Sequence, residues 1–143
     1  MVSESLFPSD KEPPFYVVAP RYIRTSAGIK ALHLLCHWLN QIGYRSYLHI
    51  DPPWTGSTVS SELATPLLTQ SVVDFDFERG LTPIVILPEI LHGNPLSGGL
   101  VARFLGNYPG LLGGPKTFSD DEKIIAYSVF FTFLHCNHRG RRL

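Results

Sequence analysis

The sequence predicts a three-layer, Rossmann-like α/β domain built on a parallel sheet of four or more strands. Three observations lead there. Short, continuous apolar runs lie between prolines, as strands buried on both faces do. An amphipathic helical stripe separates the first two runs. The resulting strand–loop–helix–strand order needs a crossover, the connection that joins parallel strands.

Residues 1–14 read as a flexible arm, since Pro8, Pro13 and Pro14 oppose regular structure. Phe15, Tyr16, Val17, Val18 and Ala19, bounded by Pro14 and Pro20, predict the first strand. A helix is expected over 28–42, where Ile29, Leu32, Cys36 and Leu39 recur at spacings of three and four. Ser26 is placed to cap its start and Gly43 to end it. Residues 44–50 predict the second strand, and the Pro-, Ser-, Thr- and Gly-rich segment 51–62 a loop. Pro66 breaks segment 62–77, leaving one short helical turn. Pro83 introduces the third strand, Ile84, Val85, Ile86 and Leu87. After a glycine-bearing loop, a second helix is expected over 100–107, stopped by Tyr108, Pro109 and Gly110. Residues 123–127 predict a fourth strand, and 130–134 continue apolar without an assignment. Helices then cover both faces of the sheet.

The chain of 143 residues fits one domain, and 44% hydrophobic against 17% charged residues excludes a disordered chain. Twelve Lys and Arg balance twelve Asp and Glu. Arg139, Arg141 and Arg142 all lie in the last five residues; without them nine basic residues face twelve acidic ones, a net charge of −3. No basic groove for nucleic acid is expected. Cys36 and Cys136 are too few and too distant for a disulfide framework, which points to a reducing cytoplasm. Neither a signal-peptide pattern nor an apolar run of membrane-spanning length is present, so any membrane association would be peripheral.

In parallel sheets ligands bind at the carboxyl ends of the strands, which selects loops 20–28, 51–62 and 88–99. The first loop, with Ser26, Ala27 and Gly28, opens onto a helix N-terminus that favours an anion. Neither GxGxxG nor GxxxxGK[ST] is present, and a plain capped turn is the competing reading. In the third loop Glu89 stands at the end of a buried strand, placed for general-base work or hydroxyl binding; the competing reading has it cap a turn or pair with an arginine. Asn94, before Pro95, reads as a turn residue. His33 and His37, with Cys36, could put two imidazoles on one helix face. They lack a third ligand, and the cluster His135, Cys136, Asn137 and His138 lacks paired cysteines, so no metal is expected. Asp120, Asp121 and Glu122 read as a solvated turn, and Trp38 as a packing residue. Trp54 reads as an aromatic platform for a sugar ring or as a loop anchor.

Two stretches carry a family resemblance. YVVAPRYIRTSAGIKALHLLCHWLNQIGY resembles the opening strand–loop–helix of the GT-B glycosyltransferases. PIVILPEILHGNPLSGGLVARFLGNYPGLLGGPKTFSDDEKIIAYS is similar to bacterial polysaccharide-biosynthesis glycosyltransferases in its strand ending Pro-Glu, its Gly-Asn-Pro segment and its arginine before an Asn-x-Pro-Gly turn. The resemblance spans residues 15–128 and rests on the order and spacing of short motifs.

It implies the amino-terminal, acceptor-side domain of a two-domain enzyme that transfers a sugar from a nucleotide-sugar to a glycan or lipid-linked acceptor. Ser26, Ala27 and Gly28 would face the donor diphosphate. Pro88, Glu89, Gly93 and Asn94 would line the acceptor side, with Glu89 on the acceptor hydroxyl; Trp54, as the sugar platform read from its loop, is placed with them. No metal or other cofactor is implied. The donor-binding domain is missing, and the tail over 129–143, FFTFLHCNHRGRRL from 130, does not continue the family pattern. A truncated or frameshifted gene, or a chain ending inside the linker, is therefore expected, inactive alone. Partners would be the nucleotide-sugar and acceptor once a second domain is supplied, and a second copy through exposed apolar surface. The implied location is the cytoplasm, peripheral at the inner membrane. The alternative is a stand-alone, flavodoxin-like binding module without catalysis.

Overall fold

The structure is a computed structural model and describes residues 11–126. Expectations for 1–10, for the tail beyond Ala126 and for the cluster around Cys136 fall outside the described residues.

Five parallel strands form one sheet in the order β2-β1-β3-β4-β5. They are β1 (Phe15–Ala19), β2 (Ser46–Ile50), β3 (Ile84–Pro88), β4 (Leu100–Leu105) and β5 (Lys123–Ala126). Both faces of β1 are buried because its alternate side chains enter two different cores. Val17 and Ala19 join Leu32 and Cys36 of α1 (Ala27–Gln41) on one face. Tyr16 and Val18 meet Val72 and Val73 of α2 (Gln70–Glu78) on the other. This is the three-layer α/β arrangement, and it explains why β1 and β3 read as unbroken apolar runs rather than alternating ones.

Helix α1 starts and stops as its sequence dictates. Ser26 is its N-cap, accepting from the Ile29 amide at 3.5 Å, and Gly43 follows its end at φ +100°, a left-handed conformation suited to glycine. Asn40 then ties the helix to β2: its amide donates to Ser46 O at 2.9 Å and Ala64 O at 3.0 Å, and its Oδ1 accepts from Ser46 N at 2.9 Å.

Four expectations are corrected. Segment 100–107 is not a helix: Leu100–Leu105 is a strand, in register with β3 from Ile84↔Leu100 to Pro88↔Phe104. A short apolar run buried on both sides looks the same to helical and extended periodicity, and pairing with β3 decides it. Segment 62–77 holds more than one turn, because Pro66 lies before the helix rather than inside it. Pro66 O accepts from Leu48 N at 2.8 Å, and Leu68 N donates to Leu48 O at 2.7 Å, so this stretch runs along β2. Thr69 then caps α2, its Oγ1 accepting from Val72 N at 3.3 Å. Trp38 is 59% exposed. It follows Cys36 by two residues, which turns it roughly 200° from the apolar stripe. Finally, Glu122 is no free surface acid but the partner of the buried Arg103. No helix among the described residues is long and apolar enough to cross a membrane.

Candidate functional site

In the order β2-β1-β3-β4-β5 the chain leaves β1 towards β2, while β3 lies on the other side of β1. The loops after β1 and β3 therefore diverge, and a crevice opens between them at the carboxyl ends of the strands. A pocket of about 220 Å³ occupies this place. Ser26, Gly28 and Ile29 line it from the start of α1, Pro88 and Glu89 from the end of β3. Phe104, Gly106 and Asn107, at and beyond the end of β4, close the third side.

The first wall is held by His33. Its Nε2–H donates to Pro20 O at 2.9 Å, the carbonyl leaving no other choice of donor, and its ring meets Tyr22 edge-on at 5.2 Å. Nδ1 is buried without a hydrogen-bond partner among the described residues. Burial lowers the His33 pKa, with the Pro20 bond working in the opposite direction. Helix α1 has no acidic residue in its first turn, so its positive end is not offset from within the helix.

The second wall carries Glu89, 7% exposed. Its Oε2 accepts from Gly106 N at 3.3 Å and its Oε1 from Asn107 Nδ2 at 3.4 Å. Both bonds are long, and no cation pairs with Glu89 among the described residues. A buried carboxylate so thinly satisfied keeps acceptor capacity for a ligand. Gly114 passes against the Glu89 carbonyl and Ile90 Cα so closely that a Cβ there would overlap both. Arg103 braces the same edge, donating to Pro88 O at 3.0 Å, Leu91 O at 2.7 Å and Glu122 Oε1 at 2.6 Å.

The structure thus brings Ser26, Gly28, Pro88 and Glu89 to one pocket. Ala27 is exposed and outside its lining. Gly93 and Asn94 do not reach it. Asn94 forms a turn, its amide donating to Gly98 O at 3.0 Å and its Oδ1 accepting from Leu96 N at 3.0 Å. Gly93 borders an open cleft of about 390 Å³ beside Arg103 and Glu122. Trp54 is exposed and outside the pocket, with the Arg21 guanidinium 4.4 Å from its ring centroid. The helix histidines serve structure: His37 Nδ1 accepts from Ala64 N at 2.8 Å, and no group of three or more His, Cys, Asp or Glu among the described residues could hold a metal.

Reading 100–107 as a helix hid Phe104, Gly106 and Asn107 from the sequence. The glycine and asparagine directly after an apolar run were the available signal. A larger cavity, about 330 Å³, opens at the amino ends of the strands beside Tyr16 and Asp76. Those two groups are buried and bonded to each other, so it offers a ligand little beyond apolar wall. The switch-point pocket is the stronger candidate. No protein-family model, no curated protein and no solved structure matches this chain.

Proposed function

We propose that this chain is the acceptor-side domain of a GT-B type sugar transferase, working with a donor-binding domain supplied elsewhere. The observation that supports it is the pocket where the positive end of α1, which has no acidic residue in its first turn, and the buried Glu89 share one rim. In this reading the amides of the α1 N-terminus face a diphosphate, and Glu89 accepts the proton of an acceptor hydroxyl. That oxygen then bonds to the anomeric carbon as the nucleoside diphosphate leaves with the bonding electron pair. The domain works in the cytoplasm, at most peripherally against the inner membrane.

Titrating the ¹⁵N-labelled chain with a nucleoside diphosphate sugar tests this. Amide shifts at Ser26, Gly28, Glu89 and Gly106, with dissociation constants around millimolar for half a site, are expected. Absence of shifts at these four positions overturns the reading. A second reading is a stand-alone binding module, favoured by the strand order, which is the flavodoxin-like one. A ligand that shifts the same amides and is not displaced by nucleoside diphosphate sugars would favour it.

A further inference from the structure

Among the described residues, Glu89 is the one carboxylate that lines the switch-point pocket. Around it the wall is made of Pro20, Ile29, Leu32, Phe104 and Leu112, whose side chains neither donate nor accept. The polar groups left to a ligand are few: the Ser26 O–H, whose oxygen already accepts from Ile29 N, the Asn107 amide, one N–H of which is given to Glu89, and the backbone amides at the start of α1. The hydroxyls of a sugar ring that turn to the apolar wall would go unpaired, each weakening binding roughly tenfold or more. The volume, about 220 Å³, exceeds the ~150 Å³ apolar cavity that takes up benzene, so a six-membered ring with a substituent fits.

We infer that the acceptor group entering this pocket is an apolar-bodied alcohol, a saturated or aromatic ring or a branched chain, whose single hydroxyl donates to Glu89. The inference rests on the acceptor-side reading of the pocket and narrows it: the part of the acceptor recognised here is an aglycone or lipid alcohol rather than a sugar ring. The long bonds from Gly106 and Asn107 hold the carboxylate in place and leave lone pairs on both oxygens for that hydroxyl.

Cyclohexanol, cyclohexanone and methyl β-glucoside, titrated separately into the ¹⁵N-labelled full chain, test it. The ketone matches the alcohol in size but has no proton to donate. Cyclohexanol is expected to shift the amides of Gly28, Ile29, Glu89 and Gly106, and cyclohexanone to bind about ten- to a hundredfold more weakly. In Glu89→Gln the side-chain amide can donate to the ketone, so the gap between the two should close. Gly106→Leu should abolish cyclohexanol binding without loss of fold. A Cβ at Gly106 lies 3.7 and 3.8 Å from the Glu89 oxygens and 3.8 Å from the Phe104 ring, ordinary contacts, and the larger side chain then fills the pocket. Equal binding of alcohol and ketone to the unsubstituted chain overturns the inference. Glucoside binding at these amides without cyclohexanol binding overturns it too, while leaving the transferase reading intact. If neither alcohol, glucoside nor nucleoside diphosphate sugar shifts them, both fall.

Discussion

The Tyr16 hydroxyl donates to Asp76 Oδ2 at 2.6 Å, joining the first strand to the second helix across 60 positions of sequence. Arg45 Nη1 lies 2.6 Å from the other carboxylate oxygen, an ion pair too skewed to count as a hydrogen bond. Asp76 is 1% exposed, so among the described residues these two groups carry the burden of satisfying it. They also fix α2 over the face of the sheet opposite α1.

Tyr16→Phe leaves the Asp76 carboxylate short of a donor and should cost about 1–3 kcal/mol in urea denaturation. The pair also sets an alkaline limit. Burial first, then the Asp76 carboxylate receiving its proton, holds the Tyr16 phenol well above its ordinary range. A raised folded pKa means stability that is complete below the unfolded value, about 10, and lost as pH rises beyond it. Unfolding free energy should therefore fall from pH 9 to 11 more steeply in the parent chain than in Tyr16→Phe. Equal slopes would show that the phenol is not the titrating group.

His33 sets a limit on the acid side. Its folded pKa lies below the ordinary value of 6.5 because burial disfavours the charged ring. A depressed folded pKa gives stability that is complete above the unfolded value and lost as pH falls below it. The incoming proton must sit on Nδ1, which is buried and has no acceptor among the described residues. Between pH 8 and 5 the parent chain should lose more stability than His33→Gln. Because His33 anchors Pro20, the amides of loop 20–28 should lose protection at pH 5, readable by hydrogen exchange corrected for the intrinsic rate at each pH.

The buried Arg103 and the partly buried Glu122 form the second ion pair among the described residues. Arg103→Leu leaves a carboxylate without its cation and frees the Pro88 and Leu91 carbonyls, a loss of about 3–5 kcal/mol. Replacing both, Arg103→Leu with Glu122→Leu, should recover much of it. A double-mutant cycle in urea measures the coupling; a double variant as unstable as the sum of the singles would mean the pair is not coupled.

Much of the frame was legible in sequence. Pro14, Pro20 and Pro83 bracket β1 and open β3, and the spacing of Ile29, Leu32, Cys36 and Leu39 draws α1 with its Ser26 cap. The rule that ligands gather at carboxyl ends already pointed to the segments of Ser26 and Glu89, which meet in one pocket. The segment of Asn94 failed the same rule, because its side chain is spent on its own turn.

Local chemistry, then, was enough for elements whose signals are internal: a proline that ends a strand, a serine whose oxygen caps the next turn, an apolar stripe repeating along one helix. Only the tertiary structure decided that Leu100–Leu105 is a strand, that Asn107 and Gly106 hold Glu89, that Glu122 answers Arg103 and that Asp76 is buried beneath Tyr16. Each of these depends on a partner 15 to 60 residues away, and a parallel sheet brings such partners together through crossovers that leave no periodic trace in the sequence.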